Sequence, residues 1–127
     1  MNITLDNWKG NINSEIYINN ADYDMALRYL YKINGDKYTE MLLEDNGFSL
    51  SIAGGNNGHY IINIYKNNDS FILFDDNHDT GELLLNCGGQ SAEFDLKYCF
   101  NLNFTEKVLF EYFKGDNLFK LYKWEIS

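Results

Sequence analysis

The chain has 127 residues, of which 45% are hydrophobic and 17% aromatic, so it is long enough to bury one core and too short for two. This composition is typical of a folded globule and excludes a disordered tail. We therefore predict a single domain over residues 1–127, in which residues 1–19 carry no clear structural pattern. The formal net charge of −9 excludes a protein that binds nucleic acid by itself, because phosphate contacts need cations.

Targeting signals and cofactor motifs are not found in the sequence. No window is apolar enough for a membrane span, and Met1–Asn7 has neither the basic start nor the apolar run of a signal peptide. Cys87 and Cys99 lack C-x-x-C spacing and are expected to be free thiols. We therefore expect a cytoplasmic protein with no membrane partner and no cofactor.

The first third of the chain predicts one edge strand and one helix. Ile16–Ile18 is apolar enough to pair as an edge strand. The helix is expected to begin at the N-cap Asn20, with acidic residues in its first turn, and to end before Gly35 at C′. Its apolar face at i, i+3, i+4 spacing consists of Tyr23, Ala26, Leu27, Leu30 and Ile33.

The stretch from Lys37 to Leu85 predicts four or five short strands in succession. Strands joined by loops this short pair antiparallel, because a parallel return needs a crossover of about a dozen residues or more. We expect Leu83–Leu85 to close this meander and Gly88-Gly89 to break it. The turn signals between the strands are Asn46-Gly47, Gly54–Gly58, Asn67–Asp69 and Asp76–Gly81.

The last third predicts a strand, a second helix and a final strand. Alternation over Leu96–Leu102 indicates the first strand. The helix is expected to start at Asn103, with Glu106 in capping-box register, and to stop at Gly115. Leu118–Trp124 is the predicted last strand. The fold class is α+β: a single antiparallel meander sheet of about five to seven strands, with an N-terminal helix and a second helix before the last strand.

Two predicted strands are apolar on both faces, namely His59–Tyr65 and Ser70–Phe74. Helices on one face of the sheet leave the other face with large apolar groups of its own. That face is either a protein-binding patch rimmed by carboxylates or a second covered core. The sequence leaves these two alternatives open.

The segment Asp75-Asp76-Asn77-His78-Asp79 combines carboxylates with an imidazole, as metal sites do. Its spacing matches neither the calcium-binding EF-hand loop nor a helical zinc pair. Asp and Asn are also the residues that favour polar turns between strands. The segment is therefore predicted to be a turn, with a small metal- or ligand-binding domain as the alternative function.

An enzyme is not expected from the remaining residues. His59 begins a strand, as structural histidines do, and the serines lack a G-x-S-x-G elbow. Cys99 alternates with apolar neighbours, whereas a nucleophilic thiol needs a cationic setting. The Gly-Gly pairs are not followed by Gly-Lys-Ser/Thr, so no phosphate cradle is indicated. We predict no catalytic residue and no metal ligand.

Negative charge is concentrated in one part of the chain. Between Asn67 and Asp95 there are seven carboxylates and no lysine or arginine, whereas the remainder holds twelve acids against ten bases. A field of one sign speeds the encounter with a basic protein. The seven carboxylates are Asp69, Asp75, Asp76, Asp79, Glu82, Glu93 and Asp95.

Several short motifs follow one another in a distinctive order from about Asn20 to the end of the chain. The order and spacing of Phe113-x-Gly115 and Trp124-Glu125 are the most specific features, although Phe119-Lys120-Leu121 replaces any proline-bearing approach to the tryptophan. The other elements are Met41-Leu42-Leu43, Asp45-Asn46-Gly47, Leu50-Ser51-Ile52, Tyr60-Ile61-Ile62, Asp75-Asp76, Gly81 and Gly88-Gly89. In these elements the chain resembles a family of immunity proteins from bacterial polymorphic and contact-dependent growth inhibition toxin systems, the first in the numbered Imm series.

The resemblance implies an antitoxin with no catalysis of its own, which binds one cognate toxin domain in the cytoplasm. The resemblance implies that the partner is a nuclease or deaminase domain at the C-terminal end of a secreted effector. Toxins that act on nucleic acid carry basic grooves, which fits the acidic stretch of this chain. From surface character we predict that Asp69, Asp75, Asp76, Asp79 and Glu82 steer or contact this partner. Phe74 and Tyr60 are the predicted apolar anchors.

Overall fold

The computed structural model describes residues 1–127 and places most of the chain in one large antiparallel sheet with helices on one face. The helices are α1 (Tyr23–Lys32), α2 (Leu102–Lys114) and α3 (Leu118–Leu121), with 3₁₀ turns at Asn56–Gly58 and Leu96–Tyr98. The strands are β1 (Asn2–Leu5), β2 (Trp8–Lys9), β3 (Ile12–Asn13), β4 (Ile16–Ile18), β5 (Glu40–Asp45), β6 (Phe48–Gly54), β7 (His59–Lys66), β8 (Asp69–Phe74), β9 (Glu82–Cys87), β10 (Gln90–Asp95), β11 (Phe100–Asn101) and β12 (Lys123–Ile126).

The main sheet has the strand order β12-β8-β7-β6-β5-β1-β4, and β11 pairs with the start of β7 beyond the end of β8. Strands β5 to β8 form the predicted meander through tight turns, so the α+β class and the antiparallel pairing are confirmed. The sheet has eight strands, against the five to seven expected, and two small hairpins, β2–β3 and β9–β10, lie outside it.

The N-terminal segment is part of the sheet. Strand β1 pairs with β5 on one side and with β4 on the other. Ile3 and Leu5 are completely buried. The predicted edge strand Ile16–Ile18 is confirmed as β4. The weak sequence pattern of residues 1–19 reflects the shortness of these strands, each of which has four residues or fewer.

The apolar face predicted for the first helix is confirmed, since Ala26, Leu30 and Ile33 are buried, and the starts of both predicted helices are shifted. Asp22, not Asn20, caps α1 by accepting a hydrogen bond from the Met25 N–H at 2.9 Å. Likewise Asn101, not Asn103, caps α2. Gly115 ends α2 as predicted, with φ at +85°, a conformation that glycine adopts without strain. None of the helices has the length and apolarity that crossing a membrane requires.

The prediction for Leu83–Leu85 is wrong. This segment leaves the sheet and pairs with β10 as a separate hairpin, because Gly88 and Gly89 both have positive φ and form its turn. The predicted strand over Leu96–Leu102 is instead the second 3₁₀ turn followed by the short β11. The predicted last strand is divided between α3 and β12, since Asn117 caps a helical turn at Leu118–Leu121.

The two faces of the sheet are covered by different elements. On the helix-covered face, Leu50, Ile52, Ile62 and Ile64 are completely buried beneath α1 and α2. The opposite face is called here the second face. The β9–β10 hairpin and the 3₁₀ turn that follows it, Leu96–Tyr98, pack across one half of the second face, where Ile61 is 3% exposed. One half of the second face is therefore a covered core, as one of the two alternatives predicts, and the other half is open.

Trp124 lies on the edge strand β12, and its substitution tests that edge. Its indole N–H donates to the Leu118 carbonyl at 2.9 Å, and its ring meets Phe119 edge-on at 5.8 Å. We expect Trp124→Ala to lower the free energy of unfolding by about 3 kcal/mol. The control Ile126→Ala, on the same strand but 83% exposed, is expected to change it by less than about 0.5 kcal/mol. Urea unfolding measures both, and equal losses would contradict the assignment.

Candidate functional site: an acidic surface on the β9–β10 hairpin

Carboxylates gather where the loop after β8 meets the open end of the β9–β10 hairpin. In the hairpin register Glu82 lies opposite Asp95, and Glu93 lies two residues away on the same outward face. His78 of the loop brings its Nδ1 to 3.9 Å from the Asp95 carboxylate. None of the loop and hairpin carboxylates named next forms an ion pair with a lysine or arginine. These residues form the acidic surface: Asp75, Asp79, Glu82, Glu93 and Asp95.

The acids of this surface repel one another. The nearby Glu93 raises the pKa of Glu82, chiefly through a hydrogen bond between the two carboxyl groups and then through its charge. Two carboxyl groups placed side by side usually share a proton, because two adjacent negative charges repel each other. A positively charged partner would therefore reduce the repulsion between the carboxylates of this surface.

The loop that carries Asp75 and Asp79 is the predicted polar turn. The Asp75 carboxylate accepts a hydrogen bond from the Asn77 N–H at 3.0 Å, and the Asp75 N–H donates to the Lys97 carbonyl at 2.9 Å. His78 uses its Nδ1 against the Asp79 carbonyl at 2.8 Å. These hydrogen bonds are typical of an Asx-type turn, in which side chains bond to backbone groups of the same turn.

This arrangement does not favour the metal-binding alternative. No three histidine, cysteine or carboxylate side chains come together in a way that could hold a metal ion. Asp76 turns away from the loop and forms an ion pair with Lys123 of β12. Calcium and zinc sites in proteins need from four to eight ligands, which this turn does not assemble.

A cleft of about 260 Å³ beside the loop brings His59, His78 and Cys99 together, which the sequence did not predict. The His59 Nδ1 is occupied by the Asn57 carbonyl at 2.8 Å. Burial raises the pKa of the Cys99 thiol to about 11, with Asp95 adding to the shift. The thiol therefore stays protonated at neutral pH, whereas a nucleophilic cysteine acts as the thiolate.

The predicted partner-binding residues are only partly brought together. Asp75, Asp79 and Glu82 share the acidic surface, and Asp76 adjoins it but is neutralised by Lys123. Asp69 lies at the opposite end of β8, about 17 Å from Phe74 at the usual rise per residue.

The two predicted apolar anchors, Phe74 and Tyr60, differ in how accessible they are. Phe74 is half-buried and lines a cleft of about 280 Å³ with Asp75, Asp76 and Lys123, so its ring remains accessible. Tyr60 does not fit the anchor role, because it is 5% exposed and belongs to the core under the helices. Side chains along a strand alternate between its two faces, so Tyr60 lies on the same face of β7 as the buried Ile62 and Ile64.

Leu84 is the apolar residue of the acidic surface that sequence reasoning missed. It is 50% exposed, lies directly opposite Glu93 in the hairpin and shares its face with Glu82. The sequence predicts a strand of the main sheet over Leu83–Leu85 and gives no sign that Leu84 is exposed. An exposed leucine between carboxylates has the anatomy of a protein-binding centre with a charged rim.

The hairpin is firmly attached to the rest of the protein. Leu85 is completely buried against Gly54, and the Asn86 side chain donates to the Gly35 carbonyl at 2.6 Å. At the hairpin turn the Gly89 N–H donates to the Thr39 hydroxyl at 2.9 Å. The acidic surface is therefore presented on a fixed support, which limits the entropy lost when a partner binds.

Comparison with protein-family models, with curated proteins and with solved structures finds no match to this chain. The resemblance to the immunity family thus stays a prediction.

Proposed function

We propose that this protein is an immunity protein, an antitoxin that binds and neutralises a cognate bacterial toxin domain by stoichiometric protein–protein binding. The toxin domain is a basic nuclease or deaminase that acts in the cytoplasm, and the antitoxin performs no chemistry itself. The observation that carries the proposal is the acidic surface around the exposed Leu84, on a support fixed to the sheet. The sequence resemblance points to the same function independently.

The acidic surface suits a partner whose active-site groove is built to hold phosphates. Five carboxylates without lysine or arginine partners offer such a groove the charge that nucleic acid would otherwise supply. Long-range attraction of this kind raises association rates by about tenfold to a thousandfold at low salt. Leu84 and the accessible ring of Phe74 supply apolar contacts, which charges alone do not provide.

The environment of the two cysteines is compatible with the proposed binding role. Burial raises the pKa of Cys87 to about 12 and that of Cys99 to about 11, so both thiols remain neutral. A binder needs an interface of about 1,600 Å² in total, which the hairpin and neighbouring surfaces of a 127-residue domain can supply.

The test asks whether the gene beside this one encodes a secreted protein with a C-terminal toxin domain, and then measures binding to that domain by stopped-flow kinetics at low and high salt. We expect the two proteins to form a stoichiometric complex that abolishes toxin activity. The triple variant Asp79→Asn, Glu82→Gln, Glu93→Gln is expected to slow association by about tenfold at low salt and to flatten its salt dependence.

The matched control removes the same number of charges from other parts of the chain, at Asp24, Asp45 and Asp116. It is expected to slow association much less than the hairpin variant does. Equal effects of the two variants would show that net charge alone, and not the acidic surface, drives the encounter. A neighbouring toxin domain that does not bind, or turnover of any substrate by the isolated protein, would refute the proposed function.

A further inference from the structure

One half of the second face of the sheet is left open by the hairpin. Side chains there form a row across seven strands, in which each residue is the registered neighbour of the next. We call this row and its next row toward the β5–β6 turn the open half-face. The central row consists of Tyr17, Thr4, Leu42, Ser51, Asn63, Ile72 and Glu125, and the next row contains Glu44, Ser49, Tyr65 and Ser70.

The middle of the open half-face is a groove with an apolar floor. It has a volume of about 290 Å³ and is lined by Glu40, Leu42, Ser49 and Tyr65. Tyr65 is 40% exposed although it lies on a central strand, where aromatic side chains are normally covered. Ser51, beneath it, is 2% exposed and donates its hydroxyl to the Glu40 carboxylate at 3.2 Å.

Glu40 stands between this groove and a second one of about 220 Å³, which is lined mainly by polar residues. Desolvation by its surroundings raises the pKa of Glu40, and the charges of Asp6 and Glu15 raise it further. Glu40 has no ion pair, and neither row of the open half-face contains a lysine or arginine. A half-buried carboxylate without a cation costs stability. In the free protein the Glu40 carboxylate therefore lacks a counter-ion, which a lysine or arginine side chain of another protein would supply.

The charges of this surface identify the kind of occupant. Two copies of the chain meeting through the open half-face would bring Glu40, Glu44 and Glu15 of each copy together, which disfavours a symmetric dimer. Nucleic acid is disfavoured for the same electrostatic reason. A protein segment that carries a lysine or arginine matches both the carboxylate and the apolar floor, because long cationic side chains pack their stems on apolar surface.

We infer that the open half-face is a second docking surface for the toxin domain, and that it receives a lysine or arginine side chain against Glu40, with the stem of that side chain on Leu42 and Tyr65. This inference rests on the proposed function and adds to it the place and the chemistry of a second contact. The acidic surface on the hairpin governs how fast the partner arrives. The open half-face governs how long the partner stays, since contacts at a desolvated charge act mainly on dissociation.

The experiment measures the dissociation constant of the toxin domain encoded beside this gene for two variants and their matched controls. Glu40→Gln removes the charge but retains an oxygen for the Ser51 hydroxyl, and it is expected to weaken binding on the order of thirtyfold, mainly through faster dissociation. Asp116→Asn removes an equal charge beyond the end of α2 and is expected to leave the constant within about twofold. Tyr65→Ala is expected to weaken binding about tenfold, whereas Tyr31→Ala on α1, at a tyrosine that is 54% exposed, is not.

Thermal unfolding of the free protein separates binding from folding. Glu40→Gln is expected to melt at or above the temperature of the unaltered protein, because it removes an unpaired half-buried charge. Weaker binding by a variant of undiminished stability supports the inference. A complex that forms but is insensitive to both Glu40→Gln and Tyr65→Ala overturns the inference and leaves the proposed function standing. A toxin domain that does not bind the unaltered protein refutes both.

Discussion

Replacing Asp6 by alanine is expected to lower the free energy of unfolding by about 4 kcal/mol. Asp6 follows β1, is 8% exposed, and gathers donors from separate segments of the chain. One carboxylate oxygen accepts from the Thr39 N–H at 2.6 Å and from the Glu40 N–H at 3.0 Å. The other accepts from the Trp8 indole at 2.8 Å and from the Thr39 hydroxyl.

The size of this effect follows from the number of donors that would be left without a partner. Each buried donor that loses its acceptor costs about 1–3 kcal/mol, and hydrogen bonds to a charged group are the stronger ones. Asp6→Asn keeps one accepting oxygen and is expected to lose about half as much. The control Asp69→Ala removes an exposed carboxylate and is expected to change stability by less than about 0.5 kcal/mol. Urea unfolding of the three variants ranks them, and a loss below about 1 kcal/mol for Asp6→Ala would contradict this reading of the site.

Gly55→Ala is expected to destabilise the protein by about 4 kcal/mol. Gly55 has φ at +91°, and a Cβ atom there would lie 2.4 Å from the Ile33 carbonyl oxygen, next to the end of α1. The left-handed backbone costs a non-glycine residue about 1–2 kcal/mol. The overlap adds to this, because the atom it meets belongs to the backbone and cannot rotate away.

Gly58→Ala is the matched control for Gly55→Ala. Gly58 also has positive φ, at +68°, but a Cβ there would meet nothing within 4 Å. Its substitution is therefore expected to cost the conformational term alone, about 1 kcal/mol. Chemical unfolding measures the difference between the two variants. Similar losses for both would show that the contact between this turn and α1 contributes little.

The features that could be predicted from the sequence are the local ones. Turn residues such as Asn46-Gly47 set the β5–β6 connection, and the apolar stripe of α2 ending at Gly115 set the second helix. The separate hairpin could not be predicted in this way. Its strand β9 has the same alternation as a sheet strand, and only the burial of Leu85 against Gly54 decides which surface it packs on.

The candidate site was predicted as a stretch of sequence, and the structure redistributes its members. Asp75, Asp79 and Glu82 stay together because a single loop joins them to the hairpin. Asp76 is neutralised by Lys123, a residue distant in sequence, and this pairing depends on β12 lying beside β8. Glu40 was not a candidate, since its half-burial arises from side chains contributed by β1, β6 and β7.

The position of β1 has a consequence for the order in which the protein assembles. The strands β5 to β8 are joined by turns of a few residues, so each can find its neighbour quickly once it is made. Strand β1 cannot form its pairing with β5 until all of α1 and the loop after it have been synthesised. The pairing of β1 with β5 therefore closes a longer loop than any pairing within the meander and is expected to form more slowly, and β4 joins the sheet only through β1.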